Sequence, residues 1–385
     1  MLSDSGVKPV MGLQKPGHYY VNSRVESPRG SLTALSGAAQ ASQLSEHMVT
    51  GNLEEFDRSA VLGLVADVGG THIRFGVAVG GSDSTPVNVH CVRRYPVRAH
   101  ESIAHAARHY RNDTPGVPAL LSRAAVAVAG RVEQDHVQLT NSAWSFSARA
   151  LSESQRFDRL HVINDFEAVG HAVGALRPAD LIPVGSQRLA LPLTQGVCAI
   201  LGVGTGLGVG GVVANAGSFN ILSTEGGHAS FAPTNERSIE LLRWLRRKYG
   251  RVSAERVLSG AGLANVYQAL CETDGKAVPE LSAAEITTRA SAGGDAHCVE
   301  AVGLFCELLG SFAGELALTL GAWSGVLISC AMLQHFDREV LERRVRTGFE
   351  YKGRFTPAMR NVPLETISHP HVELLGAARL LMASR

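Results

Sequence analysis

Residues 61–81, VLGLVADVGGTHIRFGVAVGG, decide the fold. Two valine-rich apolar runs flank a polar, glycine-containing centre, and this pattern predicts a β-hairpin. At its turn, Gly69 and Gly70 have no Cβ, so backbone N–H groups and the Thr71 hydroxyl are free to approach phosphate oxygens closely. Asp67 is placed where a phosphate-bound Mg²⁺ needs a carboxylate, directly or through water. An ordinary hairpin turn is the alternative at this point.

A second glycine turn lies in residues 197–214, VCAILGVGTGLGVGGVVA, with Gly204, Thr205 and Gly206 between two strand-like runs. No G-K-[ST] follows either turn, so neither is a Walker P-loop. The second turn also satisfies G-x-G-x-x-G, and Glu225 lies near the distance expected of a ribose-binding acid, which makes a nicotinamide oxidoreductase a rival. The residues after these glycines have a strand-like rather than a helical pattern, which opposes that rival.

The rest of the chain alternates strand-like and helical patterns, as in a mixed α/β protein. Its 385 residues are enough for two domains, and each half opens with a strand, a glycine turn and a strand. We expect a flexible N-terminal extension over 1–58, a small α/β domain over 59–175 plus 366–385, and a large α/β domain over 176–365.

Composition favours a small-molecule partner in the cytoplasm. The formal net charge is +1, from 36 basic and 35 acidic residues, so no broad field attracts nucleic acid or an anionic membrane. The six cysteines form no C-x-x-C pair, which is typical of a reducing compartment. The apolar run 298–322 contains Glu300, Glu307 and Glu315, and we predict a core helix there rather than a membrane span. No secretory signal is expected.

Two further segments carry candidate chemistry. In residues 160–173, LHVINDFEAVGHAV, a strand delivers Asn164 and Asp165 to the start of a helix. Asp165 is there either a catalytic base or the N-cap of that helix. In residues 223–231, STEGGHASF, Glu225 and His228 bracket two glycines, an arrangement that suits a polyhydroxyl ligand. A metal half-site and a plain surface turn are the alternatives.

Taken together, the motifs closely resemble those of bacterial glucokinase, within the sugar-kinase and actin-like ATPase superfamily. The resemblance covers residue 60 to the C-terminus, and its motifs are, in order, DVGGT (67–71), TNSAWSFS (140–147), INDF (163–166), GVGTGLG (202–208), EGGH (225–228), VSAERVLSG (252–260) and FEYKGRF (349–355). It implies an α/β fold of two ribonuclease-H-like domains with mixed sheets flanking a cleft. It also implies a cytoplasmic homodimer that phosphorylates the 6-hydroxyl of glucose with ATP and Mg²⁺.

The resemblance assigns roles to particular residues. Asp165 is the implied catalytic base. The implied sugar-binding residues are Asn141, Asn164, Asp165, Glu225, His228 and Glu255. The implied ATP and Mg²⁺ residues are Asp67, Gly69, Gly70, Thr71, Gly204, Thr205 and Gly206, with Asp67 nearest the metal. No nucleic acid or membrane partner is implied, and residues 1–58 show no helix-turn-helix pattern.

Some positions depart from the family pattern. Ser329, Cys330 and Ala331 stand where the family has a glycine-rich turn that faces the adenosine, Glu373 stands in place of a small residue, and Arg131 in place of a proline. The departures leave three readings open. These are a kinase with weaker nucleotide affinity, a kinase for a related hexose such as N-acetylglucosamine or mannose, and a sugar-binding regulatory paralogue without turnover.

Overall fold

The computed structural model describes residues 18–22, 58–82, 85–118, 120–140, 144–216 and 218–384. These residues divide into two compact units. The first unit comprises Met1–Ala168 with Glu373–Arg385, and the second comprises Val169–Val372. The domain boundaries predicted at 175 and 366 stay a prediction.

The first unit is built on a six-stranded mixed sheet with the strand order β1-β9-β5-β2-β3-β4. The strands are β1 (His18–Asn22), β2 (Val61–Val68), β3 (His72–Ser82), β4 (Thr85–Pro96), β5 (Arg123–Val128) and β9 (Arg159–Asn164). A smaller sheet contains β6 (Gly130–Glu133), β7 (His136–Leu139) and β8 (Ser145–Ser147). The helices are α1 (Ile103–Asp113), α2 (Ala148–Gln155), α3 (Asp165–Ala172), which runs into the second unit, and α10 (Val372–Ala383).

Strand direction explains how this sheet gathers the predicted residues. β2, β3 and β4 are antiparallel neighbours, whereas β5 runs parallel to β2, and β9 runs parallel to β5. Val68, Val128 and Asn164 stand in register at the ends of the three parallel strands. The carboxyl ends of parallel strands meet at one edge, so the fold brings Asp67 and Asp165 to the same edge of the sheet.

The second unit repeats this plan, with the strand order β10-β15-β14-β11-β12-β13. The strands are β10 (Leu181–Pro183), β11 (Gln195–Val203), β12 (Leu207–Asn215), β13 (Ser218–Thr224), β14 (Gly325–Ser329) and β15 (Leu364–Ile367). The helices are α4 (Glu236–Tyr249), α5 (Gly260–Thr273), α6 (Ala283–Ser291), α7 (Ala296–Leu320), α8 (Arg338–Glu350) and α9 (Thr356–Met359). β11, β12 and β13 are antiparallel, and β14 and β15 continue in parallel from β11. The predicted duplication is therefore present in the sheets themselves.

Helix α7 is the core helix predicted from the apolar run. It is long and apolar enough by composition to cross a bilayer, but 72% of its most apolar window is buried inside the protein. Asp295 caps its first turn by accepting hydrogen bonds from the backbone N–H groups of His297 and Cys298. Gly321 ends it with a φ of 63°, a left-handed conformation that glycine adopts without steric cost.

Several strands differ from the sequence-based expectation, among them β4 and β1. β4 was not predicted, although its pairing with β3 completes the antiparallel part of the sheet. β1 lies inside the range 1–58, where a flexible extension is predicted, and it corrects that prediction for five residues because it pairs with β9 from His18↔Ile163 to Asn22↔Arg159. The residues of β9 that pair with β1 lie more than a hundred positions further along the chain, so no local pattern in the sequence predicts the pairing.

Candidate active site

The first glycine turn joins β2 to β3. The Gly69 N–H donates to the His72 carbonyl at 2.9 Å, and the Thr71 carbonyl accepts from the Val97 N–H at 2.9 Å. The exposed Thr71 hydroxyl lies 3.0 Å from Nδ1 of His72. The turn is therefore anchored through its backbone, and the Thr71 side chain lies at the surface, as a phosphate-binding turn requires.

Asp67 lies beside this turn, at the end of β2, and is buried. Arg74 is its cross-strand partner on β3, and the guanidinium Nη1 lies 3.3 Å from Oδ2 of Asp67. The same nitrogen donates to Oε2 of Glu373, in the first turn of α10, at 3.4 Å. Desolvation, followed by the negative charges of Glu373 and Asp165, raises the pKa of Asp67 to about 7, although Arg74 acts in the opposite direction. Two carboxylates, Asp67 and Glu373, thus share one guanidinium.

The residue before Asp165 supplies the cap of helix α3. Oδ1 of Asn164 accepts the Phe166 N–H at 2.9 Å and the Glu167 N–H at 3.4 Å, so Asn164 caps α3. Its Nδ2 donates to the Gly130 carbonyl at 3.3 Å, which fixes the amide orientation. Asp165 is the first residue of the helix, and its Oδ1 accepts the N–H of the adjacent Phe166 at 2.9 Å. Capping therefore does not account for Asp165.

The surroundings of Asp165 change its acidity. Desolvation raises its pKa from 3.8 to about 6, the Phe166 N–H lowers it, and the charge of Glu373 raises it again. A carboxylate with this pKa is mostly ionised at neutral pH and is a stronger base than an ordinary aspartate.

The second glycine turn, between β11 and β12, is held by the backbone in a similar way. The Gly204 N–H donates to the Gly206 carbonyl at 3.0 Å, and the Gly204 carbonyl accepts from the Gly260 N–H, at the start of α5, at 2.9 Å. A Cβ built on Gly204 would have no neighbour within 4 Å. Gly204 and Thr205 are exposed, so ligand atoms are free to approach this turn.

Glu225, His228 and Glu255 come together in the second unit. Nε2 of His228 lies 3.9 Å from Glu225, and Nδ1 lies 3.9 Å from Oε1 of Glu255. Glu255 is anchored as well, because its Oε2 accepts the Leu207 N–H at 3.0 Å. Gly227 makes this packing possible, since a Cβ there would collide with the Leu207 carbonyl. The cluster offers one imidazole and two carboxylates to a polar ligand.

The rival functions do not fit these elements. The glycines of the G-x-G-x-x-G pattern, Gly206, Gly208 and Gly211, lie at the start of β12 and within it, whereas a dinucleotide fingerprint opens a helix. Among the described residues, no group of three or more histidine, cysteine and carboxylate side chains is arranged to hold a metal by itself.

The positions that depart from the family pattern have different surroundings. Cys330 is buried in the core of the second unit, where desolvation raises the pKa of its thiol to about 11. Ser329 is partly exposed and Ala331 is exposed. Arg131 is a surface residue 3.6 Å from Glu133.

The site contains residues that were not predicted, and one predicted residue is not described. Asn141 lies outside the described residues. Arg74 was not predicted as a site residue, although its place opposite Asp67 in a hairpin would have indicated it. Glu373 was noted only as a departure, and its contact with Arg74 joins positions 299 residues apart.

Solved structures with this fold include sugar kinases. A glucokinase from an Antarctic psychrotroph has a TM-score of 0.75 at 33% identity, covering 83% of this chain and 98% of that one. A Balamuthia mandrillaris glucokinase in complex with glucose shares the fold with a TM-score of 0.67 at 21% identity, covering 83% of this chain and 93% of that one. The repeated sheets and the two glycine turns define a sugar kinase with the actin-like ATPase fold.

The family model described as Glucokinase matches residues 64–384, and the chain belongs to the glucokinase family. The glucokinase of Stenotrophomonas maltophilia (strain K279a) is 39% identical over 317 residues, which is 82% of this chain and 93% of that protein. The glucokinase of Xanthomonas campestris pv. campestris (strain 8004) is 40% identical over 320 residues, with the same coverage.

Proposed function

We propose that this protein transfers the γ-phosphoryl group of ATP to the 6-hydroxyl of glucose, with Asp165 as the general base. The observation that carries the proposal is the state of the Asp165 carboxylate. Asn164 caps the helix in its place, and desolvation raises the pKa of Asp165 to about 6. Membership of the glucokinase family supports the same reaction.

The base has a defined task in this reaction. A sugar hydroxyl is a weak nucleophile, and a carboxylate that accepts its proton while the O–P bond forms contributes about 10²–10⁴ in rate. Asp165 accepts that proton, and the bond from the γ-phosphorus to the bridging oxygen of ADP breaks as the new bond forms. The hydrogen bonds of Asn164 to Gly130 and Phe166 fix the start of α3 and thereby the base.

The sugar-binding roles are proposals that rest on the cluster in the second unit. The cluster supplies the carboxylate oxygens of Glu225 and Glu255 as acceptors and the imidazole N–H of His228 as a donor. Several hydroxyls on one sugar ring require both kinds of group. Asn164 retains one N–H of its amide for a sugar oxygen, because the other is directed to Gly130. Asn141 is proposed from the family resemblance.

The glycine turns are proposed to bind the phosphates of ATP. Thr71, Gly204 and Thr205 are exposed, and Gly70 and Gly206 are partly buried. The glycines have no Cβ to keep a ligand away from the backbone N–H groups of the turns. Asp67 fits a divalent cation, because burial and the nearby charges of Glu373 and Asp165 raise its pKa to about 7, and a cation would relieve that repulsion. When bound with ATP, Mg²⁺ neutralises charge on the phosphates, a function for which one carboxylate is sufficient on the protein side.

A coupled ADP-release assay tests the proposal. Glucose, mannose, N-acetylglucosamine and fructose are compared with ATP and Mg²⁺ present, and the highest kcat/KM is expected for glucose. A higher kcat/KM for another hexose would show that glucose is not the preferred substrate, while the proposed phosphoryl transfer from ATP would stand. Absence of turnover with all four sugars, together with calorimetric glucose binding, would establish a sugar-binding regulatory protein instead. A homodimer in the cytoplasm remains a prediction, and sedimentation of the purified chain tests the dimer.

A further inference from the structure

Strand β1 pairs with the strand that leads to the catalytic base. Its five residues pair antiparallel with β9, from Asn22↔Arg159 to His18↔Ile163. The last pair lies next to Asn164 and two positions before Asp165. β1 is also outside the range matched by the glucokinase family model, which starts at residue 64. The strand that pairs with β9 therefore lies outside the matched range.

Both faces of β1 are used. Tyr19 and Val21 pack against the hydrophobic core under the sheet. On the opposite face, the ring of Tyr20 lies 4.6 Å from the ring of His161, and Nε2 of His18 lies 3.1 Å from Nδ1 of His161. Successive side chains of a strand point to opposite faces of the sheet, so β1 makes side-chain contacts on both faces. The pairing is therefore supported by side chains as well as by the backbone.

β1 also contacts the catalytic helix. Nδ1 of His18 lies 3.7 Å from Oε1 of Glu167, in the first turn of α3, and Glu167 is buried. Asp165 is the junction of β9 and α3, and β1 contacts one of these elements through backbone pairing and the other through His18. Movement of β1 would therefore be transmitted to both sides of Asp165.

The repeated architecture gives an independent reason to regard β1 as a built part of the fold. In the second unit, β10 occupies the corresponding place, because it pairs antiparallel with β15, the last parallel strand of that sheet. Each edge strand also precedes its glycine-turn hairpin in the chain. Both units thus cover the outermost parallel strand with an antiparallel strand, and only in the first does that strand lie outside the family range.

We propose that β1 is a positioning element for Asp165, acting through the β9 ladder and through the contact of His18 with Glu167. This inference rests on the proposed function of Asp165. An uncovered β9 would be an edge strand, and edge strands open locally at lower cost than interior ones. A catalytic group displaced by about 1 Å loses up to about 10² in rate, so a small change in β9 and α3 is measurable as turnover.

The first test uses the full chain with Tyr19→Pro and Tyr20→Pro combined. N–H groups of successive residues in a strand point to opposite sides, so one of the two prolines removes a donor to β9. We expect kcat per glucose-binding site to fall by about tenfold or more, with sites counted by calorimetry so that unfolded protein does not contribute. The KM for ATP should stay near its wild-type value.

The second test is milder and does not depend on the fate of the proline variant. His18→Ala should lower kcat per site by about three- to tenfold, His18→Gln should restore part of it, and Glu167→Gln added to His18→Ala should cause little further loss. His136→Ala, at an exposed histidine of β7, is the matched control. Additive losses in the double variant would contradict a shared contact.

The outcomes separate this inference from the proposed function. If the wild type turns over glucose and both β1 variants remain within about twofold of it per binding site, β1 has no positioning role. Hydrogen exchange of the β9 amides then reports whether the strand was in fact released, and released β9 with unchanged turnover overturns the proposal directly. A wild type without turnover would instead refute the function assigned to Asp165.

Discussion

The two units prepare their functional side chains in opposite ways. In the first unit, the side chain of Asp67 is only 12% exposed, and desolvation raises the pKa of both Asp67 and Asp165. In the second, the side chains of Glu225 and His228 are 92% and 59% exposed. The difference fits the proposed roles. Burial raises the pKa of a base before the substrate binds, whereas groups proposed to bind hydroxyls are stable in water until a sugar replaces it.

Glu255 lies between these two extremes. Its side chain is 30% exposed, and the Leu207 N–H holds one of its oxygens. Among the three second-unit residues, it therefore loses the least conformational freedom when a ligand binds. We therefore expect the largest loss of function on substitution at Asp165, a smaller one at the anchored Glu255 and the smallest of the three at the exposed Glu225.

The largest effect is expected from Asp165→Asn. The amide is nearly isosteric but is not a proton acceptor, so kcat should fall by about 10² or more while calorimetry still detects glucose binding. Glu339→Gln, which neutralises an exposed carboxylate on α8, is the control. A variant that keeps more than about a tenth of wild-type turnover would refute the base assignment.

A pair of glycine variants separates the two functions of the second unit. In Gly206→Ala, the new Cβ would lie 2.6 Å from Oε2 of Glu255 and displace that carboxylate, so glucose affinity should fall by about tenfold. In Gly204→Ala, the Cβ meets no protein atom, so the fold should be unaffected and the KM for ATP should rise instead. Equal effects of both variants on glucose would show that the turn does not support Glu255.

The two acceptors of the sugar cluster provide a smaller test. Glu255→Gln should weaken glucose binding by about tenfold, because an anchored carboxylate is lost, and Glu225→Gln by less than about threefold. Calorimetric titration with glucose measures both variants, and each is the control for the other. The reverse order would indicate that exposure in the unliganded chain does not predict the contribution to binding.

The smallest change is expected from Glu373→Gln. The base works only when ionised, so kcat/KM of the wild type should fall as the pH drops below about 6, the value to which the pKa of Asp165 is raised. Glu373 contributes to that increase, and its neutralisation should move the acidic limb to lower pH. Profiles of kcat/KM between pH 5 and pH 8 should detect this shift. If the acidic limb stays at the same pH or moves to higher pH, the charge of Glu373 does not raise the pKa of Asp165.

Most of the fold was open to prediction from the sequence because its signals are local. The hairpin around Asp67, the turn around Thr205 and the apolar helix α7 each have a pattern within one window of the chain. β1 was missed because HYYVN is only five residues long and gains its meaning from β9, far along the sequence. Its tyrosines and valine have high β-propensity, which was the one available signal.

The site shows the same limit. Motif resemblance predicted Asp165, but the residues alone could not decide between a base and a cap. The folded chain shows that Asn164 caps the helix, and the role of Asp165 as the base stays a prediction. The pairing of Arg74 with Asp67 could have been predicted from the register of the hairpin. The contact of Arg74 with Glu373 could not, because Glu373 lies in the last helix, 299 residues away. Interactions between distant segments are what the sequence could not supply.

The central claim is that the fold prepares Asp165 as a base before any ligand binds. The most direct test is a ¹³C NMR titration of the Asp165 carboxyl carbon in the unliganded full chain, with Asp165→Asn used to assign the resonance. The predicted result is a pKa of about 6. A midpoint near the ordinary aspartate value of about 3.9 would contradict the claim, because the carboxylate would then be solvated like any surface residue.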